Sequence, residues 1–282
     1  MQTLEALGHQ IQSVRELGSV VTTMKSLAAV NIRQYEQAVA ALQDFTHSLE
    51  LGMQIVIRRH PELVQPSGPT SPYPVAAVIV GSDQGMCGQF NSRIAAHAAQ
   101  HLEYVNGDID SPQILVVGVR AAAELESRQY PASDLLMLPG SVTEITRRVQ
   151  DILLRINQWR EQEHVRRVWV FHQRPLSGAS YEPHFEQIFP LSEDWLQSLR
   201  NKAWPTRTLP TFTMDWQTLL SSLVRQTLFG SLYRTLAESL AAENAARLAS
   251  MQAAEKNIEE RLDELSTQYH QGRQNAITEE LL

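Results

Sequence analysis

Both ends of the chain carry apolar residues at the spacing of long helices. In the C-terminal stretch 215–282, apolar side chains recur in steps of three, four and seven, and no proline interrupts them. This pattern predicts a helix with a single apolar seam. At about 1.5 Å per residue such a helix is about 100 Å long, too long for a compact domain of this size to bury. The seam therefore predicts a partner, and the alternative is a break near Gly230 into two ordinary helices.

The N-terminal stretch offers that partner. Between Leu4 and Leu49 the apolar residues follow a nearly unbroken 3–4–3–4 stripe, as in a coiled coil. All 13 prolines lie between Pro61 and Pro210, so both ends are free to form long helices. We therefore expect terminal helices at 1–60 and 211–282, which pack antiparallel because the middle of the chain connects them.

The middle of the chain alternates strand-like and helix-like segments after a proline-rich linker at 61–74. Continuous apolar runs of strand length indicate strands that are buried on both faces. The predicted strands are 75–80, 113–119, 134–138 and 167–173, with 184–191 as an antiparallel edge. The predicted helices are 89–105, 120–128 and 143–162. This alternation predicts a Rossmann-like α/β domain at 75–210, so the whole chain is expected to combine α/β architecture with a long antiparallel coiled coil.

Composition narrows the possible functions. The net charge is −7 and no segment is basic, so nucleic acid is not an expected partner. A single cysteine, Cys87, excludes an internal disulfide and fits a reducing compartment. The first residues lack the pattern of a signal peptide, and no apolar run is long enough to predict a membrane span.

The glycine-rich segment 81–88 follows the first predicted strand and precedes a helix. Loops in that position can cradle a phosphate group. Its sequence, GSDQGMCG, fits neither G-x-G-x-x-G nor G-x-x-x-x-G-K-[ST], so an enzyme that uses this loop is a minor hypothesis. Cys87 could be an activated thiolate near a helix N-terminus, but a lone cysteine in an α/β core is more often a buried apolar residue. We expect a structural Cys87.

Nine histidines are scattered along the chain, and His97 and His101 have i,i+4 spacing. Such a pair could place two imidazoles on one helix face. Without an H-E-x-x-H pattern or a third ligand nearby, the spacing favours a solvated helix face over a metal site. We predict no metal and no cofactor.

Four segments carry a family resemblance. They are VTTMKSLAA at 21–29, SDQGMCGQFN at 82–91, LAAENAARLASM at 240–251 and YHQGRQNAITEEL at 269–281. Each is similar to a motif of the γ subunit of F-type ATP synthases, and together they span the whole chain in the order that the family has.

The resemblance implies a shaft inserted in a ring of three α and three β subunits. It also implies that the α/β domain lies beside the ε subunit and the membrane c-ring, with the complex at the cytoplasmic face of the plasma membrane. Catalysis belongs to the β subunits in this family, so the chain itself is expected to be non-catalytic. A coiled-coil scaffold with an α/β recognition domain is the alternative function.

The same resemblance indicates which side chains contact the ring. The positions expected to contact β are Met24, Lys25, Arg247, Gln274 and Thr278. Ala276 and Ile277 are expected in an apolar bearing near the top of the ring.

The chain also departs from the family pattern. Its segment 1–60 is neutral where the family is usually rich in lysine and arginine, and Gln84 replaces the usual arginine. The dithiol insertion of chloroplast γ subunits has no counterpart here, which excludes thiol switching of that type. These departures indicate a divergent γ subunit, from a second ATPase of the same cell.

Overall fold

The computed structural model describes residues 4–64, 74–106, 112–176 and 180–281. The helices are α1 Leu4–Arg59, α2 Phe90–Asn106, α3 Val119–Glu126, α4 Val142–Gln162, α5 Glu193–Asn201 and α6 Trp216–Leu281. The strands are β1 Val75–Val80, β2 Gln113–Val117, β3 Asp134–Leu136, β4 Arg167–Pro175 and β5 Tyr181–Phe189. Most of the predicted linker, 65–73, lies outside the described residues.

Helices α1 and α6 form the predicted antiparallel coiled coil. Several contacts pair a glycine on one helix with a large apolar residue on the other, because a missing side chain lets the helix axes approach. From the tip to the base, the facing pairs are Leu4 with Gly272, Gly18 with Ile258, Phe45 with Gly230 and Gly52 with Leu223. The two helices thus keep one register along almost the whole of α1. Because α6 continues through Gly230, the alternative of two separate helices is wrong.

The α/β domain is a five-stranded sheet in the order β3-β2-β1-β4-β5. The first four strands are parallel, and β5 pairs antiparallel with β4 at the edge. Helices α2 and α3 cover one face of the sheet. Helix α4 covers the other face together with the middle of α6, whose Leu232, Leu236 and Leu240 pack near Val78 and Val170. The long C-terminal helix is therefore both half of the coiled coil and a layer of the domain.

Two helices of the structure were not predicted from the sequence. Helix α5 is capped by Ser192, whose hydroxyl accepts from the Trp195 amide at 3.5 Å, and it has Glu193 and Asp194 in its first turn. These are ordinary start signals that the sequence carries. A short 3-10 helix, Pro61–Val64, occupies the first part of the predicted linker.

Strand β5 also begins earlier than the predicted edge strand. It starts at Tyr181 and includes Pro183, a residue that edge strands accept because one side of the strand has no ladder partner. Almost all of β5 is only half-buried, which leaves no apolar alternation to mark its start.

Within the described ranges, no helix combines the length and the apolar character needed to cross a membrane.

The close approach of Gly81 to α3 gives a test of the packing. A Cβ at Gly81 would lie 2.1 Å from Cβ of Ala121, which is a direct clash. We predict that Gly81→Ala lowers the free energy of unfolding by about 3 kcal/mol, the upper part of the range for overpacking. Urea denaturation followed by circular dichroism measures the change.

The matched control is Gly8→Ala in α1, where a Cβ meets no atom within 4 Å. Alanine favours a helix over glycine, so this change should raise stability by about 0.5–1 kcal/mol. Equal effects of the two substitutions would contradict the close approach at Gly81.

Candidate functional site

The residues predicted to contact other subunits, and the glycine-rich segment, lie along the coiled coil at three levels. The lowest is the junction loop, 81–88, where the α/β domain contacts α6. The next is the free rod, where α1 and α6 run side by side beyond the domain. The last is the tip, 273–281, which continues past the pair of Leu4 and Gly272.

The junction loop is held at the carboxyl edge of the parallel strands by Asp83. Its carboxylate accepts hydrogen bonds from the backbone amides of Val119 at 3.0 Å and Leu138 at 2.8 Å. The Ser82 amide donates to the Asn91 side chain at 2.9 Å, and Asn91 donates back to the Ser82 hydroxyl at 2.7 Å. Charge-assisted and buried bonds of this kind fix a loop in one conformation.

The other side of the junction loop contacts α6. The Arg247 guanidinium donates to Glu243 at 2.6 Å and to the Gly85 carbonyl at 3.5 Å. Cys87 packs in an apolar cluster with residues of α6, including Ala242. Gly88 has a φ of 58°, a left-handed conformation that favours glycine, and a Cβ there would make an ordinary contact with the Ser250 hydroxyl at 3.4 Å.

Burial sets the protonation of the two titratable groups at this contact. It raises the pKa of Glu243, and the nearby Arg247 only partly opposes the shift. Burial likewise raises the pKa of the Cys87 thiol, whose residue is 2 % exposed. The raised pKa disfavours the thiolate, so Cys87 is the buried structural cysteine that the sequence predicts.

The same geometry explains why the junction loop resembles a phosphate loop without the chemistry of one. Several of its polar groups bond within the protein: the Gly81 amide donates to the Val117 carbonyl at 2.8 Å, and Ser82 and Asp83 have the partners given above. Asp83 and Glu243 place carboxyl groups at this end of the sheet, which disfavours an anionic ligand. The loop forms a packing contact with α6.

In the free rod, an ion pair spans the two helices. The Lys25 ammonium lies 2.7 Å from a Glu255 oxygen, and the Thr22 hydroxyl lies 3.4 Å from the same oxygen. The bond from Lys25 is the main cause that lowers the pKa of Glu255. Lower down, at the level of the junction loop, the Asn31 amide donates to the Asn244 side chain at 3.4 Å. Lys25, predicted to contact another subunit, thus has a partner on α6.

At the tip, the predicted contact residues are accessible. Gln274 and Thr278 are exposed on the same face of α6, and the Thr278 hydroxyl donates to the Gln274 carbonyl at 2.8 Å. Ile277 is 48 % exposed and Ala276 is half-buried. Lower down, Met24 is half-buried. The seven predicted residues therefore occupy separate levels of the rod and do not form one compact site.

The histidine pair on α2 differs from the prediction. His97 and His101 point toward the sheet, where the His101 ring lies 3.8 Å from the Phe185 ring and 5.1 Å from the Trp169 ring. The predicted solvated face is wrong because this side of α2 covers aromatic residues of β4 and β5. In the part of the chain that the structure describes, no group of three or more histidine, cysteine, aspartate or glutamate side chains is arranged so that it could hold a metal ion.

Comparisons with known proteins agree with this geometry. A family model described as ATP synthase matches residues 3–282. The chain therefore belongs to the ATP synthase family. Similar curated proteins are the ATP synthase gamma chains of Paraburkholderia phymatum and Thermosynechococcus vestitus. They are 22 % and 26 % identical, and in each case the match covers 100 % of this chain and 97 % of the relative. The resemblance to the γ subunit is confirmed.

Solved structures share the fold. The rotor of the Euglena gracilis mitochondrial ATP synthase matches with a TM-score of 0.63 and 14 % identity, over 97 % of this chain and 98 % of that one. The central stalk and c-ring structure of the Tetrahymena thermophila mitochondrial enzyme contains a chain that matches with a TM-score of 0.59 and 17 % identity. That match covers 83 % of this chain and 99 % of the other. The predicted combination of coiled coil and α/β domain is confirmed.

The half-buried histidines on α2 give a pH prediction. Burial lowers the pKa of both His97 and His101, so the unfolded chain binds more protons than the folded one below about pH 6.5. Their contribution to stability should therefore be complete above that pH and fall as the pH drops from about 6.5 through the lowered folded values. Urea midpoints measured between pH 8 and pH 5 test this.

The comparison that isolates these groups is the double variant His97→Gln with His101→Gln. Its stability should fall less on acidification than that of the parent chain, while the exposed control His270→Gln should follow the parent. The difference in stability between the double variant and the parent chain cancels the contribution of Glu243, whose raised pKa has the opposite effect on the pH dependence of stability. Parallel pH profiles for parent and double variant would contradict the prediction.

Proposed function

We propose that this chain is the central-stalk rotor shaft of an F-type ATP synthase, which couples ion flow through the membrane sector to ATP synthesis and hydrolysis in the β subunits. The observation that carries the proposal is the path of α6. It runs without a break from the base, under the α/β domain, to the tip beyond α1. A continuous helix packed into the domain can carry a rotation from one end of the molecule to the other.

The partners follow from this role. The α/β domain and the base are proposed to contact the c-ring and the ε subunit, and the free rod and the tip to contact the α and β subunits. The complex would lie at the cytoplasmic face of the plasma membrane, with this chain as a peripheral, non-catalytic subunit. Coupling requires that the rod has different contact energies with each β conformation, and an asymmetric rod supplies that difference.

The surface of α1 supports a contact with an encircling ring. Leu17, Val20, Leu27 and Val30 are exposed by 59 %, 56 %, 59 % and 54 % although all four are large and apolar. Leu17 and Val20 lie on the free rod, and Leu27 and Val30 continue the stripe at the level of the junction loop. A stripe of that kind marks a contact surface more often than a solvated one. A ring that surrounds the rod would cover them.

The tip is the part of the shaft where single side chains are proposed to contact β directly. Gln274 and Thr278 offer polar groups there, and Ala276 and Ile277 offer the apolar bearing surface. Met24 is proposed to contact β lower down, together with Lys25 and Arg247. For the last two, a contact with β would be shared with Glu255 and Glu243, their partners inside the chain.

Co-expression tests the function as a whole. The chain should purify with α and β subunits in a stoichiometric complex that hydrolyses ATP, whereas the chain alone should bind no ATP above background. Recovery with an unrelated partner would favour the scaffold alternative. Saturable ATP binding by the isolated chain would favour the enzyme alternative.

The tip gives the sharper prediction. In the assembled complex, the double variant Gln274→Ala with Thr278→Ala should weaken coupling by about 1–3 kcal/mol, because each side chain contributes about 1 kcal/mol through its hydrogen bonds. Turnover and ion pumping should slow without loss of assembly. Both rates are measured separately.

The matched control is Gln271→Ala with Asn275→Ala, an exposed pair with the same spacing, displaced by about 60° around the helix axis from Gln274 and Thr278. It should change neither rate. If the variant at 274 and 278 behaves like this control, those side chains are not part of the coupling contact.

A further inference from the structure

A polar cluster lies between the antiparallel edge of the sheet and α6, inside an otherwise apolar contact. His172 on β4 is 2 % exposed at its side chain, and its Nε2 lies 2.9 Å from a Glu238 oxygen on α6. Glu238 is 17 % exposed. His184 on β5 is the register partner of His172, and the two rings stand edge to face with centroids 5.4 Å apart. Three elements thus meet at two imidazoles and one carboxylate.

Four more charged groups face this cluster from the same elements. The Arg234 Nη2 on α6 donates to both carboxylate oxygens of Glu186 on β5, each at 3.0 Å. Arg174 on β4 pairs with Glu182 on β5. With neutral imidazoles, the cluster holds three carboxylates and two guanidinium groups, so its net charge is negative. One proton on the histidine pair makes it neutral.

The first and second protons are not equivalent. The His172 Nε2 lies against the Glu238 carboxylate, and among the described residues no group bonds to the other ring nitrogen, Nδ1 of His172. A second proton on His184 would place two cations side by side within the sheet. Burial lowers the pKa of His184, and the charges of His172 and Arg174 lower it further. Burial alone would raise the pKa of Glu238, but the bond from His172 and nearby positive charges hold it below the usual value.

We propose that His172, His184 and Glu238 form a proton-responsive clasp that holds α6 in one rotational setting against the sheet. Most of the surrounding contacts are apolar and non-directional, and the directed bonds from α6 to the sheet are those of Glu238 and Arg234. A directed, charge-assisted bond selects one setting. The clasp is tightest with one proton on the histidine pair. Gain of a second proton introduces repulsion between the imidazoles, and loss of the first leaves the cluster with an uncompensated negative charge.

Hydrogen exchange on the full chain tests the clasp. Amides of β4 and of 232–240 in α6 should show greatest protection at one pH between about 5 and 8, after correction for intrinsic exchange, and less protection on either side. In Glu238→Gln, protection should fall by about tenfold or more, because a charge-assisted bond is lost, and its pH dependence should flatten. In His184→Asn, only the decline on the acid side should disappear.

The control is His270→Asn, an exposed histidine on the same helix far from the cluster, which should keep the parental profile. A flat parental profile, or a Glu238→Gln profile that equals the parental one, would overturn the proposal. If Glu238→Gln does not fold, an NMR pH titration of the imidazole protons of the parent chain tests the proposal instead. Two coupled titration steps support the clasp, whereas two independent steps at the ordinary histidine pKa refute it.

Discussion

The structure depends on the burial of one stretch of α6 under two partners at once. Around Leu236 and Leu240, the helix packs against α1 on one side and against the sheet on the other. Small residues on the same stretch, among them Ala241 and Ala242, let both α1 and the sheet come close to the axis of α6, because their side chains take up little space. Without this shared burial the sheet would expose an apolar face, and the rod and the domain would be separate bodies joined by a linker.

The periodicity of the sequence was sufficient for the two long helices, because a coiled-coil seam is a one-dimensional pattern that repeats over many turns. The buried strands were also predictable, since fully apolar runs such as β1 have few other structures available. Strand β5 was harder to place because edge strands carry no alternation when both faces are half-exposed. Helix α5 was not predicted, although the sequence contains its start signals, a capping serine and an acidic first turn.

The site was predictable only in part, and for a physical reason. The segment around the junction loop could be recognised from its sequence, but the bonds from Asp83 to Val119 and Leu138 connect three distant segments. No local pattern encodes such contacts. The pairing of His172 with Glu238, and the position of His97 and His101 against aromatic rings, likewise depend on how the helices cover the sheet.

The double role of α6 has a mechanical consequence. In its lower part the helix is braced by α1, by the sheet and by α4, so this section behaves as a torsionally stiff body. Beyond Met251 the bracing is reduced to α1, through small clusters such as that of Leu7, Ile11 and Leu265. Among the described residues, the section of α6 beyond Met251 therefore has less lateral support than the section packed in the domain, and a torque would deform it more easily.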